Sequence, residues 1–79
     1  MTDKMKMELF EEMEKLENKA NEYQEQMEKG EENHIINHQF NWTVKDCHMR
    51  TMAKIDEMYG VLRILGINKE YIHWVAEKC

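Results

Sequence analysis

The residue pair best spaced for chemistry is His34 and His38. On a helix they would sit one turn apart on one face, a spacing that can grip zinc or nickel. Cys47 and His48 could complete a site, but a Cys-His dipeptide lacks the ligand spacing of a zinc finger. Without a convincing third and fourth ligand, ordinary polar and packing roles are expected, and neither metal nor any other cofactor. His48 falls in the middle of an apolar stripe and reads as a hydrogen-bonded core histidine. Cys47 and Cys79 lack neighbours that would stabilise a thiolate, so no catalytic thiol is expected. Two cysteines make no disulfide framework, which points to a reducing cytoplasm. Asn41-Trp42-Thr43 fits the glycosylation pattern, but Met-Thr-Asp-Lys-Met-Lys at the N-terminus has no apolar core of a secretion signal.

The elements that must carry these residues read as helices. With 79 residues, no proline, three glycines, 42% hydrophobic and 34% charged residues, the class is all-α, a bundle or coiled coil in one domain. A first helix is expected over 3–29, stopped by Gly30. Leu9, Met13, Leu16, Ala20, Tyr23 and Met27 step by four and three along it, as an a/d seam does. Glu11 with Lys15 and Glu25 with Lys29 are favourable i, i+4 pairs. A second helix is predicted over 43–65, with Thr43 and Asp46 as its capping box. Ile55 centres an inner face shared by Val44, His48, Met52, Tyr59 and Leu62. Gly66 suits the left-handed position just past that helix. Ile67 then touches Leu62 and packs on Ile72, and Asn68 caps a third helix over 68–78. On this last helix Ile72, Val75, Ala76 and Cys79 face inward, and Trp74 projects outward beside Glu70 and Lys78. Residues 30–42 read in two ways. Ile36, Phe40, Val44 and His48 step by four, which favours a backward extension of the second helix; the alternative is an irregular connection ending at the Thr43 cap.

Charge is divided unevenly. Residues 1–32 hold 11 acids and 5 bases and the remainder 5 acids and 6 bases, within a net charge of −5. The acidic helix reads mainly as a solvated face. The alternative reading is a surface that mimics nucleic acid, as in an inhibitor from a mobile element. Direct nucleic-acid binding is not expected, because no basic patch meets phosphates. No run approaches the roughly 18 apolar residues that a membrane span needs.

The acid spacing carries one resemblance. Glu8-x-x-Glu11, Glu11-x-x-Glu14 and Glu14-x-x-Glu17, with the Leu65-Gly66-Ile67-Asn68 corner, look similar to all-α nucleotide pyrophosphohydrolases of the MazG type. Those proteins place an E-x-x-E pair on one helix and an E-x-x-D pair on the next to hold magnesium. Here Asp56 and Glu57 are neighbours, not three apart, so the second half of the pattern is missing. The resemblance implies a magnesium enzyme as an alternative function.

The primary expectation is a non-enzymatic, acidic protein–protein interaction module of adaptor or inhibitor type. Its architecture is a long antiparallel helical hairpin with a short third helix. A chain this short buries only about 60–65% of its unfolded surface. Small domains of this kind commonly gain the missing burial by oligomerising, so a homodimeric bundle with a further protein partner is expected. The interface candidates are Val61, Ile64, Trp74, Met13, Tyr23 and Met27, with the eight methionines offering adaptable surface. Purified protein should carry no stoichiometric zinc by elemental analysis. About one zinc per chain, lost when His34 and His38 are changed to alanine, would overturn this.

Overall fold

Helix ends set the plan of the chain. In the computed structural model, which describes residues 2–78, α1 spans Asp3–Glu28, α2 Val44–Ile64 and α3 Asn68–Lys78. Two short strands, β1 (Ile35–Asn37) and β2 (Trp42–Thr43), pair antiparallel between α1 and α2. The protein is therefore mostly helical, with a long first helix and a short last one. Among the described residues no helix is long and apolar enough to cross a membrane.

α1 and α2 stop in the same way. Past α1, Gly30 takes φ +83°; its N–H donates to the Met27 carbonyl and that of Glu31 to Gln26, both at 3.0 Å. Past α2, Gly66 takes φ +73°; its N–H donates to Arg63 at 3.0 Å and that of Ile67 to Leu62 at 2.9 Å. These are complete Schellman motifs, and each satisfies carbonyls the helix end would leave bare. The two starts differ. Thr2 opens α1, its Oγ1 accepting from Met5 N–H at 3.2 Å. Thr43 and Asp46 form the predicted capping box of α2, at 3.2 Å and 3.0 Å.

The backward extension of α2 does not form. Residues 35–43 make a small hairpin instead, with Asn41 in the left-handed region at φ 55° and Asn37 Oδ1 accepting from Phe40 N–H at 3.3 Å. The hairpin finishes the cap of α2. Val44 N–H donates to the His34 carbonyl at 2.9 Å and Lys45 N–H to Glu32 at 3.1 Å. With Asp46 N–H on the Thr43 hydroxyl, each of the first three amides of α2 has a partner. A helix through His34 and His38 would have left those groups to be satisfied by its own interior; the hairpin satisfies them at the cost of one strained asparagine.

The loss of that extension rotates the inner face of α2. Val44, Cys47, Thr51 and Leu62 are its buried residues, and Met58 packs on the core beside them. His48 is only half-buried and Met52 is 42% exposed, so neither centres the face as expected. Ile55, the expected centre of that face, is half-buried and packs against the core cluster.

One cluster joins the three helices: Phe10 and Met13 of α1, Leu62 of α2, Ile67, and Tyr71 of α3. Leu9, Ile55, Met58, Tyr59, Trp74 and Val75 pack against it. Here α3 departs from expectation. Tyr71 is its buried residue, Trp74 faces the core, and Ile72 is 52% exposed. Asn68 is not the cap. Tyr71 N–H donates to the Ile67 carbonyl at 3.0 Å, so α3 opens one residue early and Asn68 lies in its first turn. Ile67 does contact the Leu62 side in the same cluster, but its partner on α3 is Tyr71, not Ile72. Cys79, expected on the inner face, lies outside the described residues.

Two glycines of α2 and its corner make opposite predictions for one chemical change. Gly60 is inside the helix, and a Cβ there meets nothing within 4 Å. Gly60→Ala should stabilise by about 0.5–1 kcal/mol. Gly66 also has open space, but its φ is +73°. Gly66→Ala should destabilise by about 1–2 kcal/mol, and Gly66→Val by more. Thermal melts check both signs, since about 1 kcal/mol moves Tm by roughly 4–8 °C at this size. If Gly66→Val melts with the parent, the corner is wrongly assigned.

Candidate partner-binding surfaces

Because α3 starts directly from the corner, its aromatic residues are brought onto α1. Phe10 lies 5.4 Å from Tyr71 and 5.5 Å from Trp74, centroid to centroid, both tilted. Such pairs contribute about 0.5–1.5 kcal/mol beyond the area they bury. Lys78 caps the outer side, its Nζ 3.7 Å from the Trp74 ring centroid and 3.4 Å from Glu14 Oε1. Lys6 makes the matching link at the other end of α3, 2.8 Å from Glu70. That hydrogen bond and the Glu70 charge hold the Lys6 ammonium above its ordinary pKa. Trp74, expected to project outward, is therefore half-buried inside this cluster.

The other interface candidates divide. Met13 is 1% exposed, enclosed within one chain. Tyr23 and Met27 are half-buried on α1, with Lys19 Nζ 5.5 Å from the Tyr23 ring. Val61 and Ile64 are 43% and 85% exposed. Leu65 of the corner and Ile72, which was expected to face inward, are also exposed, one before Gly66 and one after it. An open groove of about 380 Å³ adjoins Val61, lined also by Glu12, Leu16, Lys54, Glu57 and Met58.

The residues with metal or catalytic spacing are not brought together. His34 precedes strand β1 and His38 lies in the turn that follows it, so the two are not one turn apart on a helix. Cys47 is a buried free thiol and His48 is half-buried beside it on α2. Glu8 and Glu11 are exposed, Glu14 is paired with Lys78, and Asp56 and Glu57 are exposed on α2. Among the described residues, no three His, Cys, Asp or Glu side chains form a group that could hold a metal.

A different residue carries the sharpest local energetics. The Tyr71 hydroxyl is buried with no hydrogen-bond partner in the protein. Burial pushes its pKa up, and the nearby Glu17 and Glu14 carboxylates push it further. Glu17 stands beside the phenol without closing a bond of good geometry. Leaving a buried hydroxyl unpaired costs about 1–3 kcal/mol. Tyr71→Phe should therefore match or exceed the parent in stability, by up to about 1 kcal/mol. The alkaline limb should change as well. The unfolded phenol ionises first, near pH 10, so the parent loses stability as pH rises above that value. Urea titrations from neutral pH upward check both effects, and a Tyr71→Phe variant clearly less stable at neutral pH would show that the hydroxyl has a partner. No family model, curated protein or solved structure matches the chain.

Proposed function

We propose that the protein is a protein–protein interaction module, of adaptor or inhibitor type, acting as a homodimer of antiparallel helical pairs. The observation that carries this reading is the apolar corner. Val61, Ile64 and Leu65 are exposed at i, i+3 and i+4 where α2 ends before Gly66, Ile72 is exposed on α3 beyond it, and Ile64 gives up 85% of its surface to water. Scattered single hydrophobics are normal on a surface, whereas a continuous group around one corner marks a contact.

A second copy of the same chain is the occupant that fits. A two-fold interface must be complementary to itself. The groove beside Val61 meets this condition, because it holds both signs of charge: Glu12 and Glu57 against Lys54, around Leu16 and Met58. Lys54 makes no ion pair within the chain among the described residues. In a two-fold pair its ammonium can meet the acids of the other copy, with the apolar residues between them. The faces left outside the dimer then bind the target.

Light scattering over a concentration series tests the proposal. The parent should have twice the chain mass at ~100 µM and a melting temperature that rises with concentration. Ile64→Lys should halve the mass without loss of helix content, since that side chain supports nothing within one chain. A parent monomer with a concentration-independent cooperative melt would sink the dimer.

A further inference from the structure

Where the hairpin meets α2 stand the cations Lys45 and Arg50, with Glu31 and Glu32 just before the hairpin, the Glu32 carbonyl accepting from Lys45 N–H, and one acid in the first turn of α2, Asp46. That acid is committed to the cap, accepting from Thr43 N–H at 3.0 Å and from its hydroxyl at 3.1 Å. Every ion pair among the described residues uses a lysine of α1 or α3, so Lys45 and Arg50 have no carboxylate partner. Arg50 is nevertheless held in place. Its guanidinium lies 4.8 Å from the Trp42 ring centroid. Trp42 in turn stacks on Phe40 at 5.2 Å and 29°. Phe40 is 57% exposed, and Ile35 and Met49 add further apolar surface at 39% and 61%.

The stack is fixed by its backbone. Asn37 bonds the Phe40 amide, Asn41 turns the chain through the left-handed region, and β2 runs directly into the α2 cap. A presenting surface ordered in advance loses little entropy on binding. A guanidinium stacked on an indole keeps its N–H groups in the ring plane's neighbourhood and free to take a carboxylate in bidentate fashion.

We infer that the Phe40–Trp42–Arg50 stack is a docking site for an acidic segment of a partner protein, one that sets Asp or Glu beside a large apolar residue. The apolar side chain lies on Phe40 and the neighbouring apolar surface, and the carboxylate is taken by Arg50. Charge complementarity selects this occupant. The unpaired Arg50 suits a single carboxylate, whereas a nucleic acid strand needs a longer cationic track to hold its phosphates, and the chain as a whole is acidic. This surface is at the opposite end of α2 from the apolar corner and does not depend on the dimer.

A random peptide library selected on the immobilised full chain tests the inference, followed by fluorescence polarisation with the synthesised winners and with oligothymidine. Selected peptides should pair Asp or Glu with a large apolar residue, and their binding should weaken with added salt. Phe40→Ala and Arg50→Gln should each weaken binding by about tenfold, the loss typical of truncating an interface anchor. Ile64→Lys should leave it unchanged, which separates this site from the dimer. Arg50 is exposed on α2, so its variant keeps the test open if Phe40→Ala folds poorly. Enrichment of basic or neutral peptides, no enrichment at all, variants that bind like the parent, or tighter binding of oligothymidine would each overturn the assignment.

Discussion

The turn at Gly66 is the constraint on which the packing depends. The Ile67 amide closes α2 by bonding to Leu62, and the Ile67 carbonyl opens α3 by accepting from Tyr71. No linker residue separates the two roles, so the direction of α3 is fixed by the end of α2. That direction carries Tyr71 and Trp74 onto Phe10 and encloses Leu62 and Met13, both at 1% exposure or less. A freer connection would lose this. Eleven residues are too few for an independent helix in water, and α3 owes its order to the aromatic contacts that the corner aims.

Electrostatics has a smaller part. Lys6–Glu70 and Lys78–Glu14 join α1 to α3 at both ends, but all four side chains are substantially exposed. Exposed pairs of this kind contribute about 0–1 kcal/mol each. They select the angle of α3 more than they stabilise it. Lys78 also sets its ammonium over the Trp74 face, a cation–π contact on the outer side of the indole.

The ends of α1 and α2 and the seam of α1 were legible in the sequence, whereas the phases of α2 and α3 were not. Gly30, Gly66 and the Thr43–Asp46 box each act through a local backbone requirement, which a single residue type announces. Phase depends on what lies opposite. Along α1 the a/d seam through Leu9 and Leu16 is more regular than the stripe through Phe10, which Glu17 interrupts. Yet Phe10 is buried and Leu9 only half-buried, because α3 arrives on that side. On α3 a stripe through Ile72 and one through Tyr71 and Trp74 are both helical in period, and only the direction of the corner decides between them. The hairpin was the hardest case. It has no Asn-Gly or Asp-Gly turn, and its apolar residues happen to continue the period of α2. Of the interface candidates, Val61 and Ile64 are on the surface, while Met13 and Trp74 were taken up by packing that follows from the same corner.

The two surfaces differ in chemistry because α2 is capped in different ways at its two ends. At its C-terminus the cap is a glycine motif, which needs no side chain and leaves Ile64, Leu65 and Ile72 without cover. At its N-terminus the cap is built from a hairpin, and a hairpin of two short strands has too little area to bury its own aromatics. Phe40 and Trp42 therefore stack on each other and on Arg50 in place of entering the core. Arg50 and Ile64 are separated by about 21 Å along the helix, at 1.5 Å per residue. Over that distance a charge at one end is screened from the other by more than two Debye lengths at physiological salt. α2 thus separates an exposed apolar end from an exposed aromatic one that carries Arg50.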